Sequence, residues 1–346
     1  MKIGLIGYQG SGKSTLFEWL TGAKADPALA HVSQSAMAAV PDPRVEPLCA
    51  IYKPKKVTLA SIELVDTAGL SRSHEGNATR LAAIREAGCL VLVAGAFERT
   101  SNPLADVGSF AEDFLLADLE IVTGRVERLR ESVKKPRPNR DAELAELAAL
   151  EPLLKTLEDG TPLADAQMNE EQLKVTRSFR LLTEKPKLVL FNVADDEADP
   201  ERFVKQLAAQ TPPVTALAVP AGLELELERM SPEDRAAFRQ EMGIGHFDRD
   251  ALLRTLLAAS GQMLYFTAGE KEVRTWMLRQ GGTALEAAAN IHTDLARGFI
   301  RAETMTCDDL IRLGSEREIK AKGLVRQEPK DYVIQDGDIL NIKFSV

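Results

Sequence analysis

Gly7-Tyr8-Gln9-Gly10-Ser11-Gly12-Lys13-Ser14 decides the reading of this chain. The apolar run Ile3-Gly4-Leu5-Ile6 precedes it, and Leu16, Phe17 and Leu20 recur after it at helical spacing until Gly22 stops the helix. A strand, a glycine-rich turn and a helix in that order fit the pattern G-x-x-x-x-G-K-S/T, a phosphate-binding loop. The chemistry demands these residue types. Small residues let successive backbone N–H groups converge on phosphate oxygens, and the following helix points its positive end at the anion. Gln9, Gly10, Ser11, Gly12, Lys13, Ser14 and Thr15 are therefore the candidate phosphate-binding residues. Lys13 is placed to reach the β- and γ-phosphates as the catalytic cation, and the Ser14 hydroxyl to ligate Mg²⁺.

Downstream, Val57 to Val65 alternates apolar and polar residues, predicts a strand, and ends in Asp66-Thr67-Ala68-Gly69. Asp66 at a strand end is a second Mg²⁺ ligand, acting through water, and the Gly69 N–H is a contact for a γ-phosphate. An Asp before a turn is also a common cap. At this separation from the loop, the Asp-x-x-Gly turn points to a GTPase-like switch rather than a metabolic kinase. Leu70 occupies the position where Ras-like proteins carry the glutamine that orients water, so slow hydrolysis is expected.

Further buried strands are predicted at Leu90–Val93, Leu188–Phe191 and Val214–Val219, with helices between them. That alternation indicates a mostly parallel α/β sheet whose ligands collect at the C-terminal strand ends. Asn192-Val193-Ala194-Asp195 stands where such folds carry the base-reading motif Asn-Lys-x-Asp. The Asp195 carboxylate is suited to the N1–H and N2–H₂ donors of guanine, whereas Val193 replaces the lysine. Ala221 and Gly222 follow the next strand, where backbone N–H groups approach the base.

Leu115, Leu119, Val122, Val126, Leu129 and Val133 form a heptad seam, and Leu144, Leu147, Leu150, Leu154 and Leu157 a second one. Lys134-Lys135-Pro136-Arg137-Pro138-Asn139-Arg140 between them breaks the helix, which predicts an inserted antiparallel hairpin roughly 30 Å long. Arg125, Arg128, Arg130, Lys134, Lys135, Arg137 and Arg140 crowd its tip, with only Glu127 and Glu131 beside them in sequence. After Gly261, Leu264–Thr267, a helix at Leu285–Ile291, and strands at Tyr332–Ile334 and Ile339–Phe344 around a Gln335–Asp338 hairpin turn indicate a small α+β module. The predicted organisation is a nucleotide domain in two parts, 1–101 and 186–261, with the hairpin at 102–185 and the module at 262–346.

These residues carry a resemblance to the YchF/Obg-like ATPase family, almost end to end. Val40-Pro41-Asp42-Pro43-Arg44 with Lys53-Pro54, and Asn77 with Ile84-Arg85-Glu86, are similar to that family's segments around its switches. Thr267 to Arg274, Ile291 to Asp294, Arg297 to Glu303 and Asp331 to Ile339 resemble its C-terminal TGS domain, a ubiquitin-like β-grasp module. The resemblance implies an ATP-hydrolysing switch that uses Mg²⁺ and binds the ribosome or ribosomal RNA, with the hairpin tip and TGS domain as contacts.

This chain departs from the pattern in places. Tyr8-Gln9-Gly10-Ser11 replaces Leu/Ile-Pro-Asn-Val, and the segments Gly22–Val40 and Ser71–Asn77 are shortened. The switch threonine is replaced near Ala30, with Ser33 and Ser35 nearest, and Glu98–Gly108 lacks the family's loop histidine. Asn-Val/Met-x-Glu in the family goes with ATP, while Asp195 is the guanine-type residue. ATP is favoured, with GTP as the alternative. A nucleotide-binding scaffold without hydrolysis is the competing function, motivated by the lost threonine.

Composition sets the bounds. A hydrophobic share of 45% over 346 residues supplies core for two or three domains. The apolar run Ala87–Phe97 is far shorter than the ~18–20 residues of a membrane span. No cleavage site follows Met1-Lys2, so a signal peptide is not expected, and the chain reads as cytoplasmic. Net charge −9 argues against wholesale nucleic-acid binding, DNA included, while leaving room for a local basic patch. Cys49, Cys89 and Cys307 form no metal-type spacing, nor do His31, His246 and His292. His74, in the switch loop, is a candidate catalytic histidine or simply a solvated one.

Overall fold

The computed structural model describes residues 1–26, 28, 32–73, 76–98, 100–197, 199–210, 214–245 and 247–345. Ala30, His31, His74 and His246 lie outside them, so the readings made at those positions do too. The chain groups into two compact units, 1–36 with 63–247 and 37–62 with 248–346. No helix among the described residues is long and apolar enough to cross a membrane.

A six-stranded sheet, in the first unit except for residues 37–39 and 61–62, runs in the order 34–39, 61–66, 2–6, 89–96, 187–193, 216–219. From Ser61–Asp66 to Ala216–Val219 every neighbouring pair runs parallel. Cys89–Ala96 is buried along its whole length, which an apolar run covered on both faces requires. Parallel pairing brings Ile6, Asp66, Ala96, Val193 and Val219 to one edge, so the loops that follow them share a rim.

Pro103–Ser132 is a 30-residue helix, roughly 45 Å long and longer than its seam suggests. Its first half inserts Phe110 and Phe114 into the sheet's core. Its second half packs Val122, Val126 and Leu129 against Leu150, Leu153, Leu154 and Leu157 of the helix Arg140–Glu158. Leu144 of the predicted seam is exposed instead. At the hairpin's foot Asp118, fully buried, accepts from Arg85 Nη1 at 2.6 Å, Leu182 N at 3.0 Å, and Thr183 N and Oγ1 at 2.7 and 2.8 Å.

The second unit's sheet runs 326–328, 299–306, 338–344, 262–268, 273–279, 57–58. Its central strands Asp338–Phe344 and Gln262–Ala268 are parallel, with antiparallel neighbours outside them. The helix Ala284–Ile291, opened by a Thr283/Glu286 capping box, covers one face. This is the β-grasp arrangement.

Two strand readings change. Val57–Val65 is not one strand: Val57-Thr58 pairs with Val273-Arg274, and Ser61–Asp66 joins the other sheet. Alternation of period two is the same whichever sheet receives it. Tyr332–Ile334 forms no strand, so the turn at Gln335–Asp338, closed by Asp338 N donating to Gln335 O at 3.1 Å, is kept but joins no hairpin. Val333 makes a single bridge to Thr283, while Tyr332 O accepts from Ala284 N and Ile334 N donates to Gly282 O. The grouping of 37–62 and 248–261 with the second unit also differs from the sequence boundaries. Arg44 pairs with Asp336 at 2.7 Å, the Tyr52 hydroxyl donates to Glu316, and helix Arg249–Ala259 packs on Gln262–Ala268.

Candidate functional site

Gly10 and Gly12 adopt left-handed φ values of 78° and 92°, and Gly12 caps the helix Lys13–Thr21. A side chain at Gly12 would collide with the Asn192 amide. The turn after Asp66 is docked onto the loop by the backbone: Gln9 N donates to Leu70 O at 3.1 Å, and Leu70 N to Gly7 O at 3.0 Å. Gly69 is required there, because an added Cβ would stand 2.9 Å from Gln9 N.

At the centre Lys13, 6% exposed, donates from Nζ to Tyr8 O at 3.0 Å. Burial lowers its pKa to about 8, against the pull of Asp66. Ser14 Oγ donates to Asp66 Oδ2 at 2.6 Å. Burial raises the Asp66 carboxyl, opposed by that hydrogen bond and by Lys13. Asp66 Oδ1 and Ser11 Oγ are buried without a partner among the described residues. A buried carboxylate oxygen left open beside a hydroxyl is a hard-oxygen donor set with capacity to spare.

Two clefts meet at Gly10, Lys13 and Ser14. One, of about 780 Å³, runs toward Asn192–Asp196 and Gly222. The other, of about 560 Å³, runs past Asp66 and Gly69 to the helix Asn77–Ile84.

Every residue predicted for the phosphates except Ser11 lines one cleft or the other. Ser11 is 4% exposed and supplies its carbonyl to Asn192 instead. Leu70 does not line the switch-side cleft. It is 1% exposed and sits with Tyr8, Phe110 and Phe114 in the sheet's core, so its side chain faces away from any phosphate. An apolar residue docked by its backbone is drawn inward.

The base end is also modified. Asn192 spends both amide atoms on the chain, donating Nδ2 to Ser11 O at 3.2 Å and accepting from Ala221 N at 3.1 Å. It ties the phosphate loop to the turn at 220–222. Ala221 is fully buried with its N–H taken, which removes the predicted donor to a base. Val193 lines the cleft from the core, and Asp195 stands exposed at its wall beside Gly222. Asp195 makes no side-chain hydrogen bond or ion pair among the described residues.

Two lining residues escaped the sequence reading. Phe97, 39% exposed, borders the larger cleft, and its signal was an aromatic directly after a strand end on the ligand edge. Arg80 lines the smaller cleft, and only its place on the helix after the switch turn pointed there.

A family model described as a 50S ribosome-binding GTPase matches residues 2–119. A YchF-GTPase C-terminal model, described as a protein of unknown function, matches residues 263–345. The ribosome-binding ATPase YchF of Haemophilus influenzae is 33% identical over 100% of this chain and 99% of that protein. The chain belongs to the YchF/Obg-like ATPase family. The Bacillus subtilis ribosome-binding ATPase YchF is likewise 33% identical, covering 99% of each chain. Obg-like ATPase 1 of Oryza sativa subsp. japonica is 34% identical over 100% of this chain and 92% of its own. The solved Schizosaccharomyces pombe YchF GTPase superposes with a TM-score of 0.84 at 26% identity, covering 99% of this chain and 97% of that one. The YchF/Obg-like fold thus extends over both units, each with its family counterpart.

Proposed function

We propose that this chain is a cytoplasmic nucleotide-dependent switch that binds and slowly hydrolyses ATP and acts at the ribosome. One observation carries the nucleotide reading: Lys13, Ser14 and Asp66 converge where the two clefts meet. The larger cleft has room for a base and sugar, and the smaller one for terminal phosphates. Ser14 and Asp66 would hold Mg²⁺, and the open Asp66 Oδ1 fits that role. When bound, the metal supplies positive charge to the phosphate oxygens. Slow turnover follows from Leu70, whose buried side chain can orient no water. The same feature supports a non-hydrolysing scaffold as the second reading, and single-turnover hydrolysis with Lys13→Ala as background separates the two.

ATP is favoured because the curated relatives carry ATPase names, and because Val193 stands in place of the lysine of the guanine-reading motif. Asp195 keeps GTP as the alternative. Calorimetric titration with ATP, ADP, GTP and GDP tests the assignment. Asp195→Asn is expected to weaken GTP about ten- to hundredfold, the loss of hydrogen bonds to a charged acceptor, and ATP hardly at all. Equal losses for both would remove Asp195 from base reading.

Ribosomal RNA contact at the hairpin tip remains part of the proposal, on fewer charges than the sequence suggested. Arg125 pairs with Glu146 and Arg130 with Glu151, at 2.7 and 2.9 Å, both acids coming from the second helix. Lys134 pairs with Glu131 at 2.5 Å, and Arg140 Nε donates to Val133 O. Arg128, Lys135 and Arg137 stay exposed, without ion pairs among the described residues. Removing these three is expected to lower the slope of log affinity against log salt by roughly 0.7–0.9 per charge in a ribosome-binding series. Unchanged slopes would move the contact to the TGS-like module.

A further inference from the structure

We propose that Arg80 is a ligand for the terminal phosphate of a bound nucleoside triphosphate, supplied from within the chain. The inference rests on the nucleotide reading above and assigns a role that neither the phosphate loop nor the Asp-x-x-Gly turn contains.

Arg80 belongs to the helix Asn77–Ile84, which begins just beyond the switch turn. Its side chain lines the smaller cleft together with Lys13, Ser14, Asp66 and Gly69. Its Nη1 is buried and has no hydrogen-bond acceptor among the described residues. A guanidinium nitrogen shut away from water without an acceptor is costly, so such atoms in native structures usually meet a partner the bare chain does not contain.

The charges around it say what that partner is. Asp66 is the one carboxylate lining this cleft among the described residues. Its Oδ2 accepts from Ser14 and its Oδ1 has no partner, so Asp66 and Arg80 do not satisfy each other. One open acceptor and one open donor in the same cleft match a cation and an anion bound together. A magnesium–phosphate pair has that chemistry. The planar fork of a guanidinium also suits phosphate oxygens better than a point charge does.

Position within the cleft selects the terminal group. The larger cleft runs from Lys13 toward Asn192 and Asp195, while the smaller leaves Lys13 in the other direction, toward Gly69 and Arg80. A diphosphate seated on the loop would end at Lys13. A third phosphate would extend into the space that Arg80 borders. Arg80 thereby separates triphosphate from diphosphate through a direct contact.

The test is calorimetry of the full chain, wild type, Arg80→Ala and Arg80→Lys, against Mg²⁺-ADP and Mg²⁺-AMP-PNP, with the guanine pair GDP and GMP-PNP alongside. Arg80→Ala is expected to keep diphosphate affinity within about twofold and to lose about ten- to hundredfold in triphosphate affinity, with Arg80→Lys recovering part of it. This comparison needs no hydrolysis. Unchanged triphosphate affinity in Arg80→Ala overturns the proposal, as does equal loss of both nucleotides with a lowered melting temperature, which would make Arg80 structural. A wild type that binds no nucleotide at all removes the nucleotide reading itself, and this inference with it.

Discussion

Lys13→Ala is expected to lower Mg²⁺-nucleotide affinity by about 10²–10⁴-fold, the loss of two charge-assisted hydrogen bonds, while the chain stays folded. The fold survives because the lysine is a cost to the free protein. Its ammonium is buried, with one carbonyl 3.0 Å away, and burial drops its pKa from 10.5 to about 8. In the unfolded chain the group keeps its proton up to the higher value. Between about pH 8 and 10.5 the unfolded state therefore binds more protons, and wild-type stability rises with pH across that window. Alanine lacks both the penalty and the rise. Binding has the opposite slope, since a polyphosphate needs the charged form, and affinity is expected to weaken as pH climbs through about 8. Calorimetry from pH 7 upward on wild type and variant checks both, and native-like affinity in Lys13→Ala would end the phosphate-loop assignment.

Asp118→Ala is expected to destabilise the first unit by about 3–5 kcal/mol, the cost of breaking a buried ion pair from one side. The carboxylate is fully buried and gathers four donors, from Arg85, Leu182 and both nitrogen and hydroxyl of Thr183. Alanine leaves the Leu182 and Thr183 donors with no acceptor and Arg85 with only the Arg180 and Ala117 carbonyls. Arg85→Ala leaves the carboxylate its three bonds from Leu182 and Thr183 but takes away its counter-charge, so the double variant should cost less than the sum of the singles. Urea unfolding of the three variants measures this. A loss under about 1 kcal/mol for Asp118→Ala would show that the site relaxes or admits water.

The strand, loop and helix at residues 2–21 were legible because phosphate chemistry restricts the residue types that serve it. The Ser14–Asp66 pair was legible for the same reason. Prior engagement was not: Asn192 reads as a base ligand, and only the structure shows its bonds to Ser11 O and from Ala221 N. Nor was burial, since Leu70 shows in sequence what it cannot do and only in structure where it points. The hairpin's charges were misjudged because their neutralising acids lie on the other helix, at Glu146 and Glu151. Tyr332–Ile334 looked like a strand because apolar, β-branched composition cannot say whether a ladder is available.

The second unit is built from both ends of the chain, and this sets a schedule for its assembly. Thr275 Oγ1 accepts from Ala60 N across 215 residues, beside the pairing of Val57-Thr58 with Val273-Arg274. At about 5–20 residues per second, a nascent chain makes the early half of that contact roughly ten to forty seconds before the late half exists. Throughout that interval Val57-Thr58 has an edge and no neighbour. A fragment beginning at residue 262 has the converse defect, a strand 273–279 whose outer edge lies open. Translation speed, as much as sequence, therefore decides how long this segment stays available to the wrong partner.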